Sequence, residues 1–126
     1  MKELLRQHHI SFKNAFSGVA WSFKTQPNFR IHILLSLLVI LGAFFFQIEK
    51  IEFIVLAFAI VLGFTSEMLN TAVEAMTDLI TTEWKTEAKI AKDVAAGMML
   101  LTAVGTTLIA LVVFYPYIMK VFFPSV

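Results

Sequence analysis

Four polar residues within one short stretch could carry out chemistry together. Glu67, Asn70, Glu74 and Asp78 follow one another at intervals of three, four and four residues. On an α-helix this spacing gathers the four side chains within about 80° of arc and about 16 Å of length. Three carboxylates on one face repel one another, so they favour a bound divalent cation or a proton. The pattern predicts a site for Mg²⁺, which in proteins usually arrives with the phosphates of a substrate.

A lysine and an aspartate follow at the start of the next apolar stretch. Lys92 and Asp93 come after a short polar segment, and that segment places them at the same depth as Asp78. Taken alone, such a pair is slightly better explained as headgroup anchoring of a helix end. Beside an acidic stripe able to hold Mg²⁺, a lysine able to contact phosphate indicates a nucleotide site instead.

The elements that must position these side chains are membrane helices. Of the 126 residues 59% are apolar and 15% charged, whereas soluble domains carry roughly 25% charged residues. Segments 29–48, 51–80 and 91–120 are each long enough to cross about 30 Å of hydrocarbon. Segment 51–80 does so only if its carboxylates face protein or water. We therefore predict an all-α membrane protein with three transmembrane helices and a cytoplasmic loop at 81–90.

Other classes of protein are excluded by composition. Thirteen phenylalanines exclude a disordered chain, and the absence of cysteine excludes a disulfide scaffold and thiolate metal sites. A net charge of +1 gives no field that would attract nucleic acid.

The N-terminal segment 2–25 has an amphipathic period of its own. Leu5, Phe12, Phe16 and Phe23 share one face, and basic residues flank that face. This pattern favours a helix lying in the headgroup layer over the alternative, a helix packed on the bundle.

The distribution of basic residues predicts the orientation. The N-terminal segment and the 81–92 region together hold eight lysines and arginines, and the opposite side holds only Lys50 and Lys120. The positive-inside rule therefore places the N-terminus on the cytoplasmic side of the membrane. We interpret His32, at the start of the first span, as a boundary residue rather than a ligand.

The motif residues together resemble a known family. Residues 67–78, EMLNTAVEAMTD, followed by AKDVAAG at 91–97, look like the signature of the prokaryotic diacylglycerol kinase / undecaprenol kinase family. The stretch NFRIH at 28–32 is similar to the one that opens the first span in that family, notably in its Gram-positive branch. The resemblance covers nearly the whole chain. It implies a homotrimeric bundle with active sites shared between subunits, which transfers the γ-phosphoryl group of MgATP to diacylglycerol or undecaprenol.

The resemblance also implies roles for individual residues. Glu67 would be the base that takes the proton of the lipid hydroxyl, Asn70 would orient it, and Glu74 would bind Mg²⁺. Nucleotide contacts would come from a group of charged residues: Lys92, Asp93, Glu83, Lys85 and Asp78. Contacts with the lipid substrate would come from the stretch that opens the first span: Asn28, Phe29 and Arg30.

One position departs from the family pattern. Where the family usually has a second metal-binding glutamate, this chain has Gln26 followed by Pro27. A neutral amide is a weaker Mg²⁺ ligand than a carboxylate, so a catalytically weak homologue is one alternative.

Two alternatives from other functional classes are an ion- or proton-conducting bundle and a purely structural membrane protein. A conducting path should be polar through its full depth, but residues 54–64 are almost wholly apolar. The sequence does not choose between diacylglycerol and undecaprenol, although the Gram-positive features slightly favour the polyprenol.

Overall fold

Four helices make up the fold. The computed structural model describes the backbone of residues 2–123 and the side chains of residues 10–123. The helices are α1 (Lys2–Thr25), α2 (Pro27–Phe46), α3 (Lys50–Ile80) and α4 (Thr86–Phe122), and residues 2–123 contain no strand. Helices α2, α3 and α4, of 20, 31 and 37 residues, are each long and apolar enough to cross a membrane. The predicted all-α membrane fold with three such helices is therefore confirmed.

Proline sets the boundary between α1 and α2. Gln26 is extended, with φ −99° and ψ 112°, and Pro27 occupies the first turn of α2. A proline disfavours helical geometry in the residue before it, and its own fixed φ suits a helix start. Consequently α2 begins at Pro27, two residues before the predicted first span.

A tight turn joins α2 to α3. Gln47 adopts the left-handed conformation, with φ 51° and ψ 47°, and the Ile48 N–H donates to the Ala43 carbonyl at 3.2 Å. Glu49 then caps α3 in a capping box with Glu52. These bonds satisfy backbone groups that helix ends leave unpaired, and they bring α3 back against α2.

The connection between α3 and α4 is shorter than the predicted 81–90 loop. The Lys89 N–H already donates to the Lys85 carbonyl at 3.0 Å, and α4 begins at Thr86. Glu87 lies in the first turn, where a carboxylate is stabilised by the helix dipole, and Ala88 and Lys89 are good helix formers. The helix therefore starts within the polar segment.

Contacts at both ends fasten α3 to α4. At one end Lys92 forms an ion pair with Asp78, with 2.5 Å between Nζ and Oδ1. At the other end the Tyr117 hydroxyl donates to the Glu52 carboxylate at 2.5 Å. A small core at this second end also includes α2 and is centred on Ala43, Leu56 and Val113. The two helices thus form an antiparallel hairpin on which α2 packs, and most large apolar side chains face outward.

Candidate active site

Buried polar side chains are concentrated on α3. Glu67 is only 2% exposed, and Ser66, Asn70, Thr71 and Thr77 are also buried. Helix α2 contributes to this burial, because the buried Phe29 packs against Phe64 with 5.1 Å between ring centroids. A carboxylate is almost never fully buried unless it has a partner. The burial of Glu67 therefore requires a physical reason beyond packing.

Several atoms of this polar group lack hydrogen-bond partners among the described residues. They are Glu67 Oε2, Asn70 Oδ1 and Ser66 Oγ. The Asn70 amide donates to Glu74 Oε1 at 3.0 Å, as expected for residues four apart on a helix. Buried polar atoms are nearly always hydrogen-bonded, and each unpaired one costs about 1–3 kcal/mol. The unpaired oxygens indicate a place where a ligand supplies the missing contacts.

The start of α2 faces Glu67. The Asn28 side chain lies near the Glu67 carboxyl, and His32 lies against Gly63, one turn of α3 before Glu67. Of the three residues predicted to contact lipid, Asn28 therefore lies at the carboxyl, Phe29 is buried beside it, and Arg30 is exposed.

The residues predicted to contact nucleotide lie near the α3–α4 connection. Lys92 pairs with Asp78, and Asp93 pairs with Lys89. All four side chains keep more than a third of their surface exposed. The exposed Glu83 lies in the connecting turn, where its backbone N–H donates to the Thr81 hydroxyl at 3.1 Å. Lys85 lines a cavity of about 250 Å³ between the end of α3 and the start of α4. These charges lie in one region, open to water.

The oxygen atoms present have the chemistry that a hard cation requires, but the described residues do not form a complete metal site. Carboxylate and carboxamide oxygens of Glu67, Asn70 and Glu74 are suitable Mg²⁺ ligands. Among residues 10–123, no three His, Asp or Glu side chains converge on one point. The Gln26 amide lies 3.5 Å from the Thr25 hydroxyl, which is its one side-chain hydrogen bond among these residues. Further oxygen ligands would have to come from phosphate or water.

Comparison with known proteins identifies the family. Residues 13–114 match the family model described as prokaryotic diacylglycerol kinase. The chain belongs to this family. The family assignment predicted from the motifs at 67–78, 91–97 and 28–32 is therefore confirmed.

Individual relatives within the family carry two names. A diacylglycerol kinase from Synechocystis sp. is 43% identical over 101 residues, which cover 79% of this chain and 58% of that protein. An undecaprenol kinase from Bacillus subtilis is 36% identical over 112 residues, covering 89% of this chain and 91% of that protein. A diacylglycerol kinase from Haemophilus influenzae is 35% identical over 83 residues, covering 66% and 70%. The chain thus spans less than two thirds of the Synechocystis relative and nearly all of the Bacillus one.

Two neighbours of Glu67 were missed by sequence reasoning. The interpretation of His32 as a boundary residue rather than a ligand stays a prediction, but its Nδ1 lies 3.5 Å from the position that a Cβ on Gly63 would occupy. It therefore faces α3. Its position four residues after Asn28 is the signal that could have found it, because residues four apart share a helix face. Ser66 gave no such signal, since its burial depends on tertiary packing.

Proposed function

We propose that this chain is an ATP-dependent kinase that phosphorylates the hydroxyl group of a membrane lipid alcohol. The observation that carries the proposal is the buried Glu67 carboxyl, whose Oε2 has no hydrogen-bond partner among the described residues. It lies on α3 with the Asn70–Glu74 pair and with Asp78, which pairs with Lys92 of α4. Membership of the prokaryotic diacylglycerol kinase family supports it.

Phosphoryl transfer requires positioning, charge neutralisation and an oriented nucleophile. Different side chains would meet each requirement. Glu67 accepts the proton of the lipid hydroxyl. Asn70 orients the acidic groups on either side of it along α3. Glu74 would hold Mg²⁺, which when bound would supply charge neutralisation for the phosphates of ATP. Lys92, at the water-exposed end of the stripe, binds the phosphates in place of its contact with Asp78, and Asp93, Glu83 and Lys85 border the nucleotide.

The membrane itself is part of the proposed substrate site. We infer that the polar end of α3 lies at the cytoplasmic surface of a bacterial inner membrane, with the N-terminus on the same side, because the basic residues concentrate there. A lipid hydroxyl then reaches Glu67 from headgroup depth, and ATP approaches from water. The catalytic unit is a homotrimer whose subunits share active sites, as the resemblance implies.

Two lipid alcohols are candidate substrates. The relatives include proteins named diacylglycerol kinase and one named undecaprenol kinase. The match with the Bacillus undecaprenol kinase extends over nearly the whole of both chains, and it favours undecaprenol.

The test is a labelled-ATP assay in mixed micelles that contain either diacylglycerol or undecaprenol. We expect wild-type protein to transfer label to one lipid class. Glu67→Gln should lower the rate by about 10²–10⁴-fold, the usual contribution of general acid–base catalysis, and Glu74→Ala should abolish transfer at low Mg²⁺. Lys120→Gln, at the opposite end of α4, is the matched control and should retain wild-type activity. Transfer to neither lipid, or full activity in Glu67→Gln, would overturn the proposal.

A further inference from the structure

We propose that Ser66 is a further substrate-binding residue, whose hydroxyl donates a hydrogen bond to the reacting hydroxyl of the lipid alcohol beside Glu67. This inference rests on the proposed function, since it concerns the substrate of that same site. It follows from the burial and the hydrogen bonding of the Ser66 side chain.

The Ser66 hydroxyl is buried without a partner in a helix that could supply one. The residue is 6% exposed, and its Oγ makes no hydrogen bond among the described residues. A serine or threonine in a helix can donate to the carbonyl four residues before it. On the same helix the buried Thr77 hydroxyl donates to the Val73 carbonyl at 2.8 Å, and Thr65 makes the same kind of bond. Ser66 does not use this bond, so its hydroxyl remains available to a ligand.

Buried side-chain atoms without partners occur in one place within residues 10–123. They belong to Ser66, Glu67 and Asn70. Ser66 and Glu67 diverge by about 100° around α3, and Asn70 lies between them in angle, about 6 Å along the axis from Ser66. A small group held between these side chains is the arrangement that supplies a partner to each of them.

The unpaired atoms select a hydroxyl group rather than a phosphate. Glu67 Oε2 and Asn70 Oδ1 are hydrogen-bond acceptors, and the oxygens of a phosphate are acceptors as well. A lipid hydroxyl instead donates its proton toward Glu67 and accepts a hydrogen bond from Ser66. A second lone pair of the lipid oxygen is then left for the γ-phosphorus of ATP. As the new O–P bond forms, the proton passes to Glu67, and ADP leaves with the electron pair of the bond that breaks.

The position of Ser66 along α3 agrees with a lipid substrate. A largely apolar cavity of about 280 Å³ lies on the side away from the charged end, and along α3 its lining runs from Leu56 to Gly63. The Lys92–Asp78 pair, where we place the nucleotide, lies on the other side, twelve residues further along α3. Ser66 thus lies between space for an apolar chain and the charged end of the site, where the hydroxyl of a lipid alcohol would have to stand.

Kinetics of two Ser66 variants test the inference. Ser66→Ala should lower kcat/KM for the lipid alcohol about tenfold, the equivalent of one hydrogen bond lost in a buried site. KM for MgATP should stay within about twofold, because the nucleotide contacts are unchanged. Ser66→Thr keeps a hydroxyl and should recover most of the loss. Thr65→Val removes the neighbouring hydroxyl, which has a backbone partner, and as the matched control should behave as wild type. Unchanged kcat/KM in Ser66→Ala would overturn the inference.

A binding measurement without ATP separates this inference from the proposed function. The protein is melted in micelles with diacylglycerol or undecaprenol, and each lipid is compared with an analogue that has the same chains but no hydroxyl. A ligand that binds the folded state raises the melting temperature. We expect one alcohol to raise that of wild type more than its analogue does, and Ser66→Ala to lose this difference. The same result in a protein that phosphorylates neither lipid would leave the Ser66 contact standing and the kinase proposal wrong. Equal shifts by alcohol and analogue in wild type would contradict the contact even in an active kinase.

The melting temperature without lipid shows whether the Ser66 hydroxyl has a partner in the protein itself. If the hydroxyl is unpaired until the substrate binds, Ser66→Ala should melt at or above the wild-type temperature. A lower melting temperature in Ser66→Ala, with Thr65→Val unchanged, would mean that the hydroxyl is already bonded to protein, for example in a neighbouring copy of the chain. That result would overturn the inference.

Discussion

At the scale of single residues, the dominant feature is a carboxyl in a place that does not favour it. Glu67 is nine-tenths buried or more, and one of its oxygens has no partner among the described residues. Residues selected for function are often costly for folding, since a site optimised for chemistry conflicts with a site optimised for stability. Replacing Glu67 should therefore lower the activity and raise the stability of the protein.

Replacement of Glu67 by methionine tests this conflict. Glu67→Met has similar volume and removes the unpaired Oε2, so we expect the free energy of unfolding to rise by about 1–2 kcal/mol while lipid phosphorylation is lost. The measurement is reversible unfolding in detergent micelles, with Leu69→Met, an exposed position on the same helix, as the control. A lower stability of Glu67→Met would mean that the buried carboxyl has partners that stabilise it.

Gln26 offers a gain-of-function test at the same scale. Because a carboxylate is a stronger Mg²⁺ ligand than an amide, Gln26→Glu should lower the Mg²⁺ concentration that gives half-maximal activity several-fold. The Mg²⁺ titration should be repeated with Gln26→Asn, which keeps the amide, as the control. Identical titration curves for Gln26→Glu and wild type would exclude position 26 from the metal site.

Sequence periodicity predicted part of the site and missed the rest. The alignment of Asn70 with Glu74 follows from their spacing along α3, and their hydrogen bond agrees with it. No comparable spacing rule predicts which residues contact each other between helices. The approach of His32 to Gly63 depends on side-chain directions and on how α2 packs against α3, which no single-helix pattern contains.

At the scale of elements, the hairpin of α3 and α4 carries the charged end of the site. The Lys92–Asp78 pair joins the two helices, but both side chains are partly exposed. Exposed ion pairs contribute about 0–1 kcal/mol to stability. Under the proposed function, Lys92 would exchange Asp78 for the phosphates of a nucleotide at little cost to stability.

Exchanging the two charges separates a structural role from a binding role. In the double variant Asp78→Lys with Lys92→Asp the ion pair is re-formed in reverse, so the unfolding free energy should change by about 1 kcal/mol or less. ATP binding, measured by equilibrium dialysis of the micellar protein, should nevertheless be lost, because the lysine no longer stands at the start of α4. Retention of wild-type ATP affinity would show that Lys92 only holds α4 against α3 and does not bind ATP.

Helix boundaries illustrate where composition and local capping compete. Hydropathy predicted three spans and the structure has three suitable helices. The helix ends differ from the predicted bounds, because Pro27 starts α2 and because Glu87, Ala88 and Lys89 in the polar segment are good helix formers. Hydropathy reports where a chain is apolar, whereas backbone hydrogen bonds decide where a helix begins.

At the scale of the whole molecule, the surface is unusually apolar. Phenylalanine, leucine, isoleucine and valine side chains are exposed along all four helices. Along residues 10–25 of α1 every residue except Ser22 is exposed, although the face with Phe12 and Phe16 is strongly apolar. A surface of this kind needs lipid or neighbouring subunits to cover it.

Tryptophan fluorescence distinguishes whether lipid or a neighbouring subunit covers α1. The chain has two tryptophans, so Trp84→Phe leaves Trp21 of α1 as the reporter. If α1 lies in the headgroup layer, lipids brominated near the glycerol should quench Trp21 more strongly than lipids brominated at the chain ends. Quenching of Trp84 in the Trp21→Phe protein is the comparison, because that residue lies in the polar α3–α4 connection. Absence of quenching of Trp21 at every bromine depth would favour a helix covered by protein.

The two fastenings of the hairpin restrict how the molecule can rearrange during turnover. Glu52 and Asp78 stand 26 residues apart on α3, and Lys92 and Tyr117 stand 25 residues apart on α4, so both contacts fit one and the same register. Sliding of one helix past the other would break both contacts at once. When a nucleotide takes the place of Asp78 beside Lys92, as we propose, the Tyr117–Glu52 bond continues to hold this register. The freedom to move then belongs to α2, which we expect to tilt about the Gln47 turn.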